Sequence, residues 1–111
     1  MSGRESLEMS AVDFDYLEGF AAGDMTVVTE VLAIFRTQAE GWLAQLDNPG
    51  DGWRDLAHTI KGAARGIGAT ALGDLADRGE RGDASLAPQL KALLVEVDAA
   101  IEGYLTRIGG G

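Results

Sequence analysis

The chain has 111 residues, 46% of them hydrophobic, with eighteen acidic side chains against nine basic ones, one histidine and no cysteine. That length fits one domain, and the apolar share excludes a wholly disordered chain. A net charge of −9 argues against general nucleic-acid binding and against docking on an acidic membrane surface, and without cysteine there are no disulfides or thiolate metal sites.

Residues 1–12 carry few apolar anchors and are expected to be flexible, ahead of a single helical domain over residues 13–108. They lack the apolar centre of a signal peptide, and no apolar run approaches the ~20 residues of a membrane span, so a cytoplasmic location is expected. Asp13 is placed to cap a short helix whose apolar positions are Phe14, Leu17, Phe20 and Ala21. After Gly23, Asp24 caps a long helix, because Val28, Val31, Leu32, Phe35, Ala39, Trp42, Leu43 and Leu46 recur three and four apart. Residues 48–51 read as a turn, with Asp51 positioned to cap the next helix. Its stripe is Trp53, Leu56, Ala57, Ile60, Ala63, Ala64 and Ile67, and Gly66-Ile67-Gly68 ends it. A shorter helix carries Ala71, Leu72, Leu75 and Ala76. Residues 79–84 read as a polar connection. Ser85 is expected to cap the last helix, with Pro88 in its first turn and a stripe of Leu86, Leu90, Leu93, Leu94, Val97, Ile101, Tyr104, Leu105 and Ile108. Tyr16, Trp42, Trp53 and Tyr104 are expected in the core or at its edge. No segment alternates in the strand manner. The fold class is therefore all-α: an antiparallel up-down-up-down four-helix bundle with a short extra N-terminal helix over one end.

The one histidine is out of phase with the apolar stripe of its helix. At ~100° per residue, His58 lies ~200° from both Leu56 and Ile60, on the outward face. Its neighbours there are Asp55, Lys61, Gly62 and Arg65, three, four or seven residues away. A lone histidine is more often surface decoration or a satisfied core residue than a functional group, but the phase removes the core reading. The local chemistry favours function. Imidazole is a usable nucleophile near neutral pH. Lys61, one turn on, and Arg65, two turns on, are placed to offset the negative charge of a phosphoryl group. Gly62 removes a side chain from the approach. No acid lies between Leu56 and Gly73 in a chain that carries eighteen. The bland alternatives are a packing glycine at Gly62, solvated cations at Lys61 and Arg65, and a solvated acid at Asp55 in place of a group that orients the imidazole.

Two motif matches are set aside. Gly66-Ile67-Gly68-Ala69-Thr70-Ala71 fits a dinucleotide fingerprint but follows a helix where that motif needs a strand. Asp55-x-x-His58 fits half of a di-iron ligand pair, which one histidine cannot complete, so no metal site and no bound cofactor are expected.

The run Ala57-His58-Thr59-Ile60-Lys61-Gly62-Ala63-Ala64-Arg65-Gly66-Ile67-Gly68-Ala69, followed by Leu72, resembles the histidine-containing phosphotransfer (HPt) family. That family has an aliphatic residue two after its histidine, then Lys-Gly, then glycine ten after the histidine. One departure is the pair Gly79-Glu80, where the family often has Leu-Glu, and it leaves the end of that helix open. The resemblance implies a phosphorelay carrier more than an enzyme. His58 is then the phosphoacceptor between aspartates of two receiver domains, Lys61 stabilises the phosphoryl charge, Gly62 gives steric access and Arg65 lends electrostatic support. It implies response-regulator receiver domains or a hybrid sensor histidine kinase as partners, Mg²⁺ only on the receiver, and a monomer that binds neither nucleic acid nor membrane. Two other classes remain: a helical adaptor that is never phosphorylated, and the phosphoacceptor domain of a chemotaxis-type kinase. A chain that starts at Met and stops at a glycine run favours a separate protein.

Overall fold

The computed structural model describes residues 11–110, and these are all-helical. Five helices follow in order: α1 (Phe14–Phe20), α2 (Met25–Leu46), α3 (Trp53–Gly66), α4 (Thr70–Arg81) and α5 (Ala87–Gly110). Single 3₁₀ turns at Gly50–Gly52 and Ala84–Leu86 lead into α3 and α5. α2 packs on α3 and α5, and α4 packs on the same two helices. The four long helices thus form a ring in chain order, each antiparallel to the next, with α1 as the extra N-terminal element.

The predicted stripes supply the core. Val28, Leu32, Ile60, Leu72, Leu90, Leu94, Val97 and Ile101 are fully buried, and no polar or charged residue is buried among the described residues. Each fully buried Leu or Ile contributes about 1.5–3 kcal/mol relative to exposure. Rotating α3 to bury His58 would expose Leu56 and Ile60, so the phase of the helix is strongly fixed. Arg36 ties α2 to α5 through Asp98 (2.8 Å) and Glu102 (3.0 Å).

The helix ends follow local chemistry. Asp13 accepts from the Tyr16 amide at 3.0 Å, and Asp24 from those of Thr26 and Val27, which satisfies donors that have no partner within the helix. α3 closes in a Schellman turn: the Ala69 amide donates to Ala64 O at 2.8 Å and the Gly68 amide to Arg65 O at 3.4 Å. Gly68 is required there twice over. Its φ is +85°, and a Cβ would stand 2.8 Å from the Asp13 carbonyl oxygen. The Asp13 amide in turn donates to Gly68 O at 2.9 Å, which joins the start of α1 to the α3–α4 turn.

Several boundaries differ from the sequence expectation. Asp51 does not cap α3; it lies inside a 3₁₀ turn, and Gly52 at the cap position makes no side-chain cap. Residues 79–81 are helical instead of a polar connection, because Trp53 packs on Gly79 and its Nε1 donates to the Gly79 carbonyl at 2.8 Å. That carbonyl is one of the last four of α4, which lack helical partners. Asp83, in place of Ser85, caps the entry to α5 by accepting from the Ser85 amide. Tyr16 and Phe20 are 49% and 74% exposed, because α1 is short and only Leu17 is fully covered. Of the segment expected to be flexible, residues 1–10 lie outside the described residues, whereas Val12 is buried in the core at 1% exposure.

Candidate functional site

α3 and α4 form the site together. His58 projects from the middle of α3 with its side chain 67% exposed. Its Nδ1 lies 2.9 Å from Glu80 Oε2 on α4. A carboxylate only accepts, so Nδ1 carries the hydrogen. In the neutral ring that leaves the lone pair on Nε2, the nitrogen without this partner.

Glu80 is itself fixed. Its Oε1 is buried and meets the Lys61 ammonium at 2.7 Å. Lys61 also reaches Asp77 at 3.3 Å, and Asp77 is paired with Arg81 at 3.0 Å. Lys61 holds the Glu80 carboxyl below its usual range, with partial burial opposing and His58 adding to the effect. Lys61 also lowers Asp77, and Glu80 in turn raises Lys61. The result is an ionised carboxylate anchored on the imidazole.

Gly62 is exposed, and among the described residues a Cβ built there meets nothing within 4 Å. The space beside His58 is therefore open. Arg65 extends over Gly73, where a Cβ would stand 2.8 Å from the Arg65 Cγ, and reaches Asp74 at 3.4 Å. Arg54, one turn before His58, is exposed and makes no hydrogen bond or ion pair among the described residues.

His58, Lys61 and Gly62 thus converge on one exposed face, and Arg65 lies further along the same helix. The acid-free window of the sequence is not an acid-free region in space. α4 brings Asp74, Asp77 and Glu80 alongside, and these engage both Lys61 and Arg65. Glu80, not Asp55, holds the imidazole. Sequence reasoning missed it because 22 residues separate the pair and only the α3–α4 packing joins them. The glycine at 79 was the available signal, since it admits Trp53 and keeps α4 helical through Glu80. Ile67 and Ala64 are buried and Ala63 is half-buried, so these residues form the core side of the helix and offer no broad apolar docking face.

Comparison with known proteins gives two matches. A family model of the Hpt domain fits residues 30–108. The chain is similar to the crystal structure of the histidine phosphotransferase ShpA from Caulobacter crescentus, with a TM-score of 0.81 and 48% identity over 89% of this chain and 94% of that one. No curated protein matches the chain.

Proposed function

The chain belongs to the Hpt-domain family, and we propose that within its role as a phosphorelay intermediate His58 is the residue that receives and passes on the phosphoryl group. The observation that carries this reading is the commitment of Nδ1 to Glu80 on an otherwise open face. Nε2 is then a preset nucleophile. It attacks the phosphorus of a receiver's aspartyl phosphate; the P–N bond forms, the P–O bond to the aspartyl carboxylate breaks, and that carboxylate leaves. No proton has to move, because Nε2 carries none. The product ring keeps its hydrogen on Nδ1 and becomes a cation, which the Glu80 carboxylate stabilises at hydrogen-bond distance. The reverse steps deliver the group to a second aspartate.

Lys61 acts through Glu80, keeping it ionised and in place, and Gly62 leaves room for the receiver's acidic pocket. Arg65 is paired with Asp74 and lends weaker support. The Mg²⁺ of the transfer is assigned to the receiver, and the chain works as a monomeric carrier in the cytoplasm, without nucleotide chemistry of its own. Among the described residues no helix is long and apolar enough to cross a membrane.

Incubation with a phosphorylated receiver domain tests this reading. Wild type is expected to gain acid-labile, base-stable label, and His58→Gln to gain none. A folded wild type that binds the receiver and stays unlabelled would instead favour the adaptor reading.

A further inference from the structure

Resting on His58 as the phosphoryl carrier, we propose that Arg54 is the cation that meets the carried phosphoryl group. Three cations share the outer face of α3 with His58: Arg54 one turn before it, and Lys61 and Arg65 one and two turns after. The two that follow are engaged. Lys61 is only 20% exposed and contacts both Glu80 and Asp77, and Arg65 reaches Asp74. Lys61 and Arg81 face Glu80 and Asp77, and Arg65 faces Asp74, so both later cations are already engaged by carboxylates when the phosphoryl group arrives. Arg54 is exposed and unpaired among the described residues.

Helix geometry points the same way. Helical side chains lean back toward the N-terminus and cover the preceding turn. That lean directs the His58 side chain toward the turn that carries Arg54. A one-turn rise of ~5.4 Å is within reach of an arginine side chain, and the guanidinium fork matches two oxygens of a phosphoryl group. Asp55, the acid on the same turn, stands on the other flank of His58, three residues back where Arg54 is four. Arg54 also occupies the first turn of α3, where the helix dipole disfavours a cation. No partner among the described residues offsets this placement, whereas a phosphoryl group on Nε2 would.

Labelling with phosphoramidate tests the contact in the absence of any receiver. The histidine nitrogen takes the phosphoryl group from phosphoramidate, the donor's P–N bond breaks and ammonia leaves. In the labelled chain the ³¹P resonance is then titrated. Arg54→Gln is expected to melt at or above the wild-type temperature, to label roughly tenfold more slowly, as fits the loss of one charge-assisted contact, and to shift the phosphoryl titration to higher pH, since a nearby cation favours the dianion. Arg54→Lys should fall between the two. An unchanged ³¹P titration and labelling rate in Arg54→Gln overturns the proposal. So does a defect that appears only with a receiver present, which would make Arg54 a docking residue. A wild type that takes no label from phosphoramidate, and none from a receiver either, removes the carrier assignment and this proposal with it.

Discussion

Gly62 separates packing from access at one position. It stands mid-helix, one turn beyond His58, and a Cβ there meets none of the described residues within 4 Å. A mid-helix glycine costs about 1 kcal/mol relative to alanine. With no steric opposition to the methyl group, Gly62→Ala should recover most of that. For a domain of roughly 100 residues, about 1 kcal/mol raises the melting temperature by about 4–8 °C. Gly62→Gln should also melt at or above wild type, since glutamine is a good helix former. Its side chain, however, leans back over the His58 turn and stands where a receiver's aspartate must approach. Transfer from a phosphorylated receiver should slow by roughly tenfold or more, an obstruction of ~1.4 kcal/mol or above, while labelling by small phosphoramidate stays close to wild type. Thermal melts and two labelling time courses on both variants make the test. Should Gly62→Ala melt below wild type, the glycine packs against something and the outward face is misassigned.

Gly79→Ala is the opposite case: the new Cβ would stand 2.7 Å from Trp53 Cζ2, and this overpacking should destabilise by about 1–3 kcal/mol, read as a lower melting temperature with altered tryptophan fluorescence. Glu80→Ala removes the partner of Nδ1, so ¹⁵N shifts of the ring should show the hydrogen moving toward Nε2 and phosphoryl acceptance should slow. An unchanged tautomer would remove Glu80 from the mechanism. Because the Glu80 carboxyl is held low, its contribution to folding is present above the ordinary carboxylate range and is lost as pH falls through the lowered value, so Glu80→Ala should flatten the acid limb of stability. Tyr104, buried and donating to Glu18 at 2.5 Å, has its hydroxyl pushed up to about 12 from 10.0. Its contribution is complete below pH 10 and is lost between pH 10 and 12, on the order of 2 kcal/mol. Tyr104→Phe should therefore remove most of the alkaline slope in denaturant melts.

The bundle was legible in the sequence because long amphipathic stripes specify both the helices and their buried faces. The stripe of α3 alone sets the outward phase of His58 and Gly62. What stayed hidden depends on contacts between helices. α4 extends through Arg81 because Trp53 packs on Gly79 and donates to its carbonyl, a contact across 26 residues. Charge along the chain misled for the same reason. A window without acids says nothing about the acids that a neighbouring antiparallel helix sets beside it, and here these engage Lys61 and hold the imidazole. Arg54 was accessible to the same spacing rule that singled out Lys61, but its lack of a partner among the described residues becomes visible only when the other two cations of α3 are seen to have theirs.

The central claim is that Nε2 of His58 carries the phosphoryl group while Nδ1 stays bonded to Glu80. The most direct measurement is ³¹P–¹⁵N correlation on the phosphorylated chain labelled with ¹⁵N-histidine, where one histidine makes the assignment unique. The prediction is a single phosphorus coupled to Nε2, with the Nδ1 hydrogen retained. A phosphorus coupled to Nδ1, or a phosphorylated chain with no coupling to histidine nitrogen, would contradict it.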